Sequence, residues 1–170
     1  MGCFLSHLSI IHHALEQGYE AIWILEDDVV FNHDPKETLS RFLQETKDKG
    51  IAWEVLYTDL NLRSFRSDGS MVDEIVFEGS LGKDFDYASA GSIEWVQPVS
   101  MAKQMHHRLG TYSMVLSKRG MQKIWDYFTT HPMISAYDVD LNFLENTKFF
   151  QLLEDVVTTN GFESSTSTQS

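Results

Sequence analysis

The sequence predicts an α/β fold, a sheet with helices on both faces. Three observations carry that prediction. Ala21-Ile22-Trp23-Ile24-Leu25 is an apolar run without period-two alternation, so a strand there needs cover on both faces, as in a parallel sheet core. Apolar residues at helical spacing lie on either side of it, Phe4, Leu8, Ile11 and Leu15 before and Leu39, Phe42 and Leu43 after. A second apolar run, Trp53-Glu54-Val55-Leu56-Tyr57, completes a strand–helix–strand unit, which favours a right-handed crossover and parallel pairing.

Composition narrows the function. The chain has 170 residues, enough for one domain with its own core, and 42% hydrophobic with 12% aromatic content excludes general disorder. Residues 1–160 read as a single domain, and residues 161–170 read as a mobile tail rich in Ser and Thr. A formal net charge of −12 argues against a nucleic-acid partner, because no Lys/Arg stripe is present to replace counterions. An acidic protein still binds an anionic nucleotide when a divalent cation lies between them. The single Cys3 excludes an internal disulfide and a cysteine-rich zinc site. No apolar run approaches the roughly 20 residues that span a bilayer, and no secretory apolar region opens the chain. The expected location is cytoplasmic, with at most peripheral association at the inner face of the membrane. Met1-Gly2-Cys3-Phe4-Leu5-Ser6 does fit the six-residue myristoylation template, with a palmitoylatable Cys beside Gly2.

The elements follow in order. A helix is expected from about Ser6 to Gln17, stopped by Gly18. Of its imidazoles, His12 and His13 read as packed or solvated, and His7, near the helix start, is kept as a site candidate. The first strand ends in Glu26-Asp27-Asp28 and the chain turns apolar again at Val29-Val30-Phe31. Three adjacent carboxylates repel one another and need water, a cation or donors, so the triplet is either a solvated acidic turn or a ligand or metal site at a strand's carboxyl end. The apolar residues on both sides favour the site.

Asp34 is placed as N-cap and Pro35 as first residue of the next helix, which ends near Gly50. Asp59-Leu60-Asn61 closes the second strand as a turn cap or as a neighbour of the acidic cluster, with the cap favoured. Residues 61–97, punctuated by Gly69, Gly79, Gly82 and Gly91, are irregular and read as the wall of an acceptor pocket. A strand from Thr111 to Leu116 then leads to Ser117 as N-cap. Met121, Ile124, Trp125 and Phe128 form the stripe of a helix ended by Pro132. Asp138 and Asp140 sit two apart at a helix start, where Asp138 is either an N-cap or an acid facing the cavity of Asp28. Phe149-Phe150-Gln151-Leu152-Leu153 reads as a final strand.

Several of these pieces together resemble one family. Gly2-Cys3-Phe4-Leu5-Ser6-His7-Leu8 followed by Leu25-Glu26-Asp27-Asp28-Val29 is similar to the Gly-Cys-x-x-Ser-His and Leu-Glu-Asp-Asp-Val blocks of glycosyltransferase family 25, the lipopolysaccharide-type and procollagen-type galactosyltransferases. Gly110-Thr111-Tyr112-Ser113-Met114-Val115-Leu116-Ser117-Lys118-Arg119-Gly120 resembles the family's tyrosine-bearing strand ending in Ser-x-x-Gly, and Pro132 to Asp138 its following Pro-and-Asp block. The resemblance explains Gly2 and Cys3 without lipidation. It implies an A-type glycosyltransferase-like, Rossmann-like mixed sheet and a UDP-sugar donor, with galactose the first choice of hexose. A divalent cation, Mn²⁺ or Mg²⁺, and a glycan or lipooligosaccharide acceptor are implied with them. On this resemblance Asp28 holds the cation, Glu26 and Asp27 face the ribose and the rest of the donor, and Ser6, His7 and Tyr112 join them as donor-binding residues. An inverting transfer needs a carboxylate to take the acceptor proton, a role given to Asp138 first and Asp140 second.

Two departures accompany it. Members of the family carry a strand and an arginine-containing segment ahead of the Gly-Cys block, so this chain reads as a shortened form. It also has no histidine after His131 to serve as a late metal ligand. Two rivals follow. One is phosphotransfer chemistry of the haloacid-dehalogenase or receiver type, from Asp138-Val139-Asp140 or the acidic triplet, against which stand a poor preceding strand and the lack of a late strand ending in Lys. The other is a non-catalytic domain whose open sheet edge recruits a second chain as a homodimer.

Overall fold

The computed structural model describes residues 2–32, 34–59, 98–105, 108 and 110–159. The expected acceptor wall at 61–97 and the tail at 161–170 lie outside the described residues. The fold is α/β and Rossmann-like, with a mixed five-stranded sheet. In chain order the elements are α1 (Gly2–Glu16), β1 (Ala21–Leu25), β2 (Val29–Phe31), α2 (Pro35–Asp48), β3 (Val55–Tyr57), β4 (Ala102–Met105), β5 (Ser113–Ser117), α3 (Lys118–Thr130), α4 (Tyr137–Asp140), a 3₁₀ turn (Leu141–Phe143), β6 (Phe149–Leu152) and β7 (Val157–Thr159).

Local signals act where expected. Asp34 caps α2 by accepting from the Lys36 N–H at 2.9 Å, with Pro35 first in the helix. Ser117 caps α3 by accepting from the Gly120 N–H at 3.2 Å. Gly18, at φ 70°, stops α1 in the left-handed region where a Cβ is disfavoured. The first helix begins earlier than its stripe predicts because Phe4 packs on Phe128 and Tyr137, at ring separations of 5.1 and 5.6 Å, which holds its opening turn against the core.

The sheet order is β1-β5-β3-β6-β4, and β2 and β7 form a separate antiparallel pair. The crossover prediction is corrected here. β1 and β3 point the same way but do not pair, since β5 lies between them and is antiparallel to both, and the parallel pair is β3 with β6. β1 is an edge strand among the described residues, not a central one. Burial explains the order: every residue of β3 and β6 and four of five in β5 are buried, whereas Ala21 and Leu25 of β1 are exposed.

Each face of the sheet still receives a layer. Ile22, Leu116, Val55, Phe149 and Met105 run in register across one face, under α1 and α3. Trp23, Val115, Leu56 and Phe150 run across the other, where Phe42 of α2 covers them. The run Ile22-Trp23-Ile24 is apolar throughout because its side chains alternate between these two layers.

The Ser-x-x-Gly end of β5 has a packing cause. The Ser117 N–H donates to the Glu54 carbonyl at 3.0 Å, and a Cβ on Gly120 would lie 2.1 Å from that same oxygen. The buried Glu54 side chain is met by Arg119 Nε at 2.7 Å, Lys123 Nζ at 3.0 Å and the Lys148 N–H at 2.7 Å, so it gathers α3 and the start of β6 around the start of β3. Gly120→Ala is therefore expected to lower stability by roughly 1–3 kcal/mol or more, because the clash is with backbone, which cannot step aside as a side chain can. Thermal unfolding of the variant checks this, and an unchanged midpoint would contradict the close approach.

Candidate active site

The carboxyl ends of β1 and β3, the approach to β5, the first turns of α1 and the short α4 meet in one region. The Glu26 N–H donates to the Tyr112 carbonyl at 2.9 Å, and Thr111 Oγ1 donates to Glu26 Oε1 at 3.2 Å, so the acidic triplet starts tied to the strand beside it. Asp27 is exposed. Asp28 is half-buried, and its Oδ1 is shielded from solvent with no hydrogen-bond partner among the described residues. A buried carboxylate oxygen without a donor is costly, and a bound cation is one way that cost is met.

A buried ion pair stands behind the triplet. Asp59, reached two residues after β3, is fully buried and pairs with Arg108, whose Nη1 also donates to the Asp59 carbonyl at 2.8 Å. The guanidinium lies 4.3 Å from the Tyr57 ring centroid and 5.9 Å from that of Tyr112. Burial first, then the Asp59 charge, raises the Tyr112 phenol above its ordinary value, so it stays protonated. Asp59 is therefore more than a turn cap. It holds the loop that brings Tyr112 and Thr111 to Glu26.

The two carboxylates of α4 differ. Asp138 is not an N-cap, since Ala136 holds that position. Its Oδ2 accepts from the Gly110 N–H at 2.9 Å and its Oδ1 from the Val139 N–H at 3.1 Å, and the side chain stays half-buried. Asp140 is 1% exposed, with Oδ2 on the Ile134 N–H at 2.7 Å and Oδ1 on the Ser135 N–H at 3.1 Å. It closes the turn before α4, and its burial keeps both oxygens from a substrate. Asn142 ties α4 to the Arg108 loop, accepting from the Arg108 N–H at 2.9 Å and donating to its carbonyl at 3.0 Å.

On α1, Ser6 is exposed and its Oγ donates to the Gly2 carbonyl at 3.0 Å, so its hydroxyl is engaged within its own helix. His7 is 3% exposed, edge-on to Tyr137 at 5.3 Å, and burial lowers its pKa to about 4. Its Nε2 lies 3.7 Å from Cys3 Sγ, which is itself 3.6 Å from Glu26 Oε1. Cys3 and Arg108 are the residues that sequence reading passed over. The first was absorbed into a motif, and the second is an isolated Arg before a strand, with no pattern to mark it.

Residues 1–143 match the family profile described as Glycosyltransferase family 25 (LPS biosynthesis protein). The chain is 26% identical over 91 residues to Procollagen galactosyltransferase 2 of Mus musculus, covering 54% of this chain and 14% of that protein. It is 33% identical over 57 residues to Procollagen galactosyltransferase 2 of Homo sapiens, covering 34% and 9%. It is 32% identical over 57 residues to Inactive glycosyltransferase 25 family member 3 of Homo sapiens, covering 34% and 10%. The matched stretches span about a tenth of these relatives' length.

Two outcomes follow from the geometry. Arg108→Met leaves the Asp59 carboxylate buried without its cation and is expected to cost roughly 3–5 kcal/mol in urea unfolding, part of which Asp59→Leu added to it recovers. For His7, the folded pKa of about 4 lies below the ordinary 6.5, so the unfolded chain takes up the proton first. The resulting stability is fully present above about pH 6.5 and is lost as pH falls toward about 4, a contribution of roughly 3 kcal/mol. In chelator, the stability difference between the native chain and His7→Asn should therefore shrink over that interval, and a constant difference would contradict the buried neutral imidazole.

Proposed function

Because the chain belongs to glycosyltransferase family 25, we propose that it transfers a hexose, galactose in the first instance, from a UDP-sugar to a glycan or lipooligosaccharide acceptor with inversion. The observation that carries this reading is the Asp28 oxygen, buried and without a hydrogen-bond partner among the described residues, in the turn that follows β1, where ligands of open α/β sheets bind. A hard divalent cation, Mn²⁺ or Mg²⁺, takes carboxylate oxygens, and Asp28 would supply one to hold it. When bound, such a cation supplies positive charge against the diphosphate leaving group. Glu26 and Asp27, which precede Asp28 in the chain, would face the ribose and the rest of the donor.

The base is Asp138. Two backbone N–H groups aim its carboxylate, and the half-buried side chain leaves lone pairs on both oxygens open to a hydroxyl. It takes the proton of the acceptor hydroxyl while that oxygen bonds to the anomeric carbon and UDP leaves with the electron pair of the broken bond. Asp140, buried where Asp138 is only half-buried, positions the turn before α4. His7 and Ser6 shape and anchor the α1 wall of the site. No helix among the described residues is long and apolar enough to cross a membrane, so a lipid-linked acceptor would be met at the membrane surface.

A second reading, a transferase-like domain that does not transfer, is favoured by the relatives named inactive. Calorimetric titration of UDP with Mn²⁺ and then with chelator separates the two. The expected result is binding that needs the metal and weakens more than about tenfold in Asp28→Asn, with the circular dichroism unchanged. Asp138→Asn should keep UDP binding and lose transfer. Metal-independent binding or none, from a folded chain, overturns the donor-site assignment.

A further inference from the structure

We propose that Cys3, His7 and Glu26 form a second metal site, selective for a thiophilic divalent cation of the Zn²⁺ class and distinct from the cation assigned to Asp28. One ligand atom from each of these residues lies within 4.8 Å of the others. Cys3 Sγ is 3.7 Å from His7 Nε2 and 3.6 Å from Glu26 Oε1. A tetrahedral ion with a bond of about 2.3 Å to sulfur and about 2.0–2.1 Å to nitrogen or oxygen places such atoms about 3.5–3.6 Å apart. The two separations from sulfur lie within about 0.2 Å of that value, and the nitrogen and oxygen ligand atoms lie within 4.8 Å of each other.

The surroundings fit the same purpose. His7 is almost wholly buried and its Nδ1 has no partner among the described residues, so the ring is held by packing alone, with its other nitrogen on Cys3. Desolvation keeps the imidazole neutral, the form that ligates. Glu26 is oriented by Thr111 Oγ1, which serves as a supporting contact to a ligand. Cys3 is exposed and supplies the entry path, leaving the fourth position open to water. Burial first, then the Glu26 charge, raises the Cys3 thiol above its ordinary value, so the free thiol is protonated and a bound cation displaces its proton. On binding, the thiol proton passes to solvent, and thiolate plus carboxylate balance the 2+ charge of the ion. Thiolate and imidazole select a borderline-soft metal, whereas a carboxylate oxygen such as that of Asp28 suits a hard one.

The test is titration of Co²⁺ into the full chain, read by the near-ultraviolet thiolate-to-cobalt charge-transfer band. The expected result is a band that saturates at one equivalent, is displaced by Zn²⁺, and comes with release of one proton. Cys3→Ser should abolish it, and His7→Asn and Glu26→Gln should each weaken Co²⁺ binding more than about tenfold, with the fold checked by circular dichroism. Asp28→Asn should retain the band in full. No band in the native chain, or a band that survives both His7→Asn and Glu26→Gln unchanged, overturns the site. Loss of the band in Asp28→Asn overturns its separation from the acidic triplet.

Discussion

The buried pair of Arg108 with Asp59 is the constraint on which the rest of the site depends. Two full charges are taken out of water there, and that is tolerable only because the guanidinium also donates to the Asp59 carbonyl and lies against the Tyr57 ring. The pair pins the segment entering β5 to the end of β3. From that pin follow the placement of Tyr112 and Thr111, and through them the two hydrogen bonds that hold Glu26.

The same pin reaches α4. Asn142 is bonded to both the N–H and the carbonyl of Arg108, and Gly110 donates to Asp138, so the carboxylate assigned as base is set by the loop that the ion pair fixes. On the opposite wall, Phe4 and His7 pack on Tyr137, which joins α1 to α4 through aromatic contact. Glu26 thus stands between two assemblies, a hydrogen-bonded one from β5 and α4 and a packed one from α1. Asp28 is left with a buried oxygen that neither assembly satisfies. The buried acids that serve structure are met by donors or cations, Asp140 by two backbone N–H groups and Glu54 by Arg119 and Lys123, and Asp28 Oδ1 has neither among the described residues.

Local chemistry was readable where a residue acts on its own neighbours. Asp34 and Ser117 cap helices, Gly18 ends one, and the stripes of α1 and α3 reach the core as their spacing requires, while in α2 Leu39 and Phe42 reach it and Leu43 is exposed. The acidic triplet was readable too, because an apolar strand that ends in three carboxylates is an electrostatic anomaly at the level of sequence. Asp59 was read too weakly, since nothing nearby in the chain shows that an arginine 49 positions later meets it.

The sequence by itself determined the element types, the two-sided cover of the sheet and the residues of the acidic tip, all of which depend on side-chain period and local backbone preference. Only the tertiary structure decided which strands are neighbours. It inserted β5 between β1 and β3 because strands buried on both faces take the centre and one with exposed ends is left at the edge. It also decided which carboxylates are engaged and which are open, and brought Cys3 and His7 to Glu26, because hydrogen-bond partners and ligand distances belong to contacts between segments far apart in the chain.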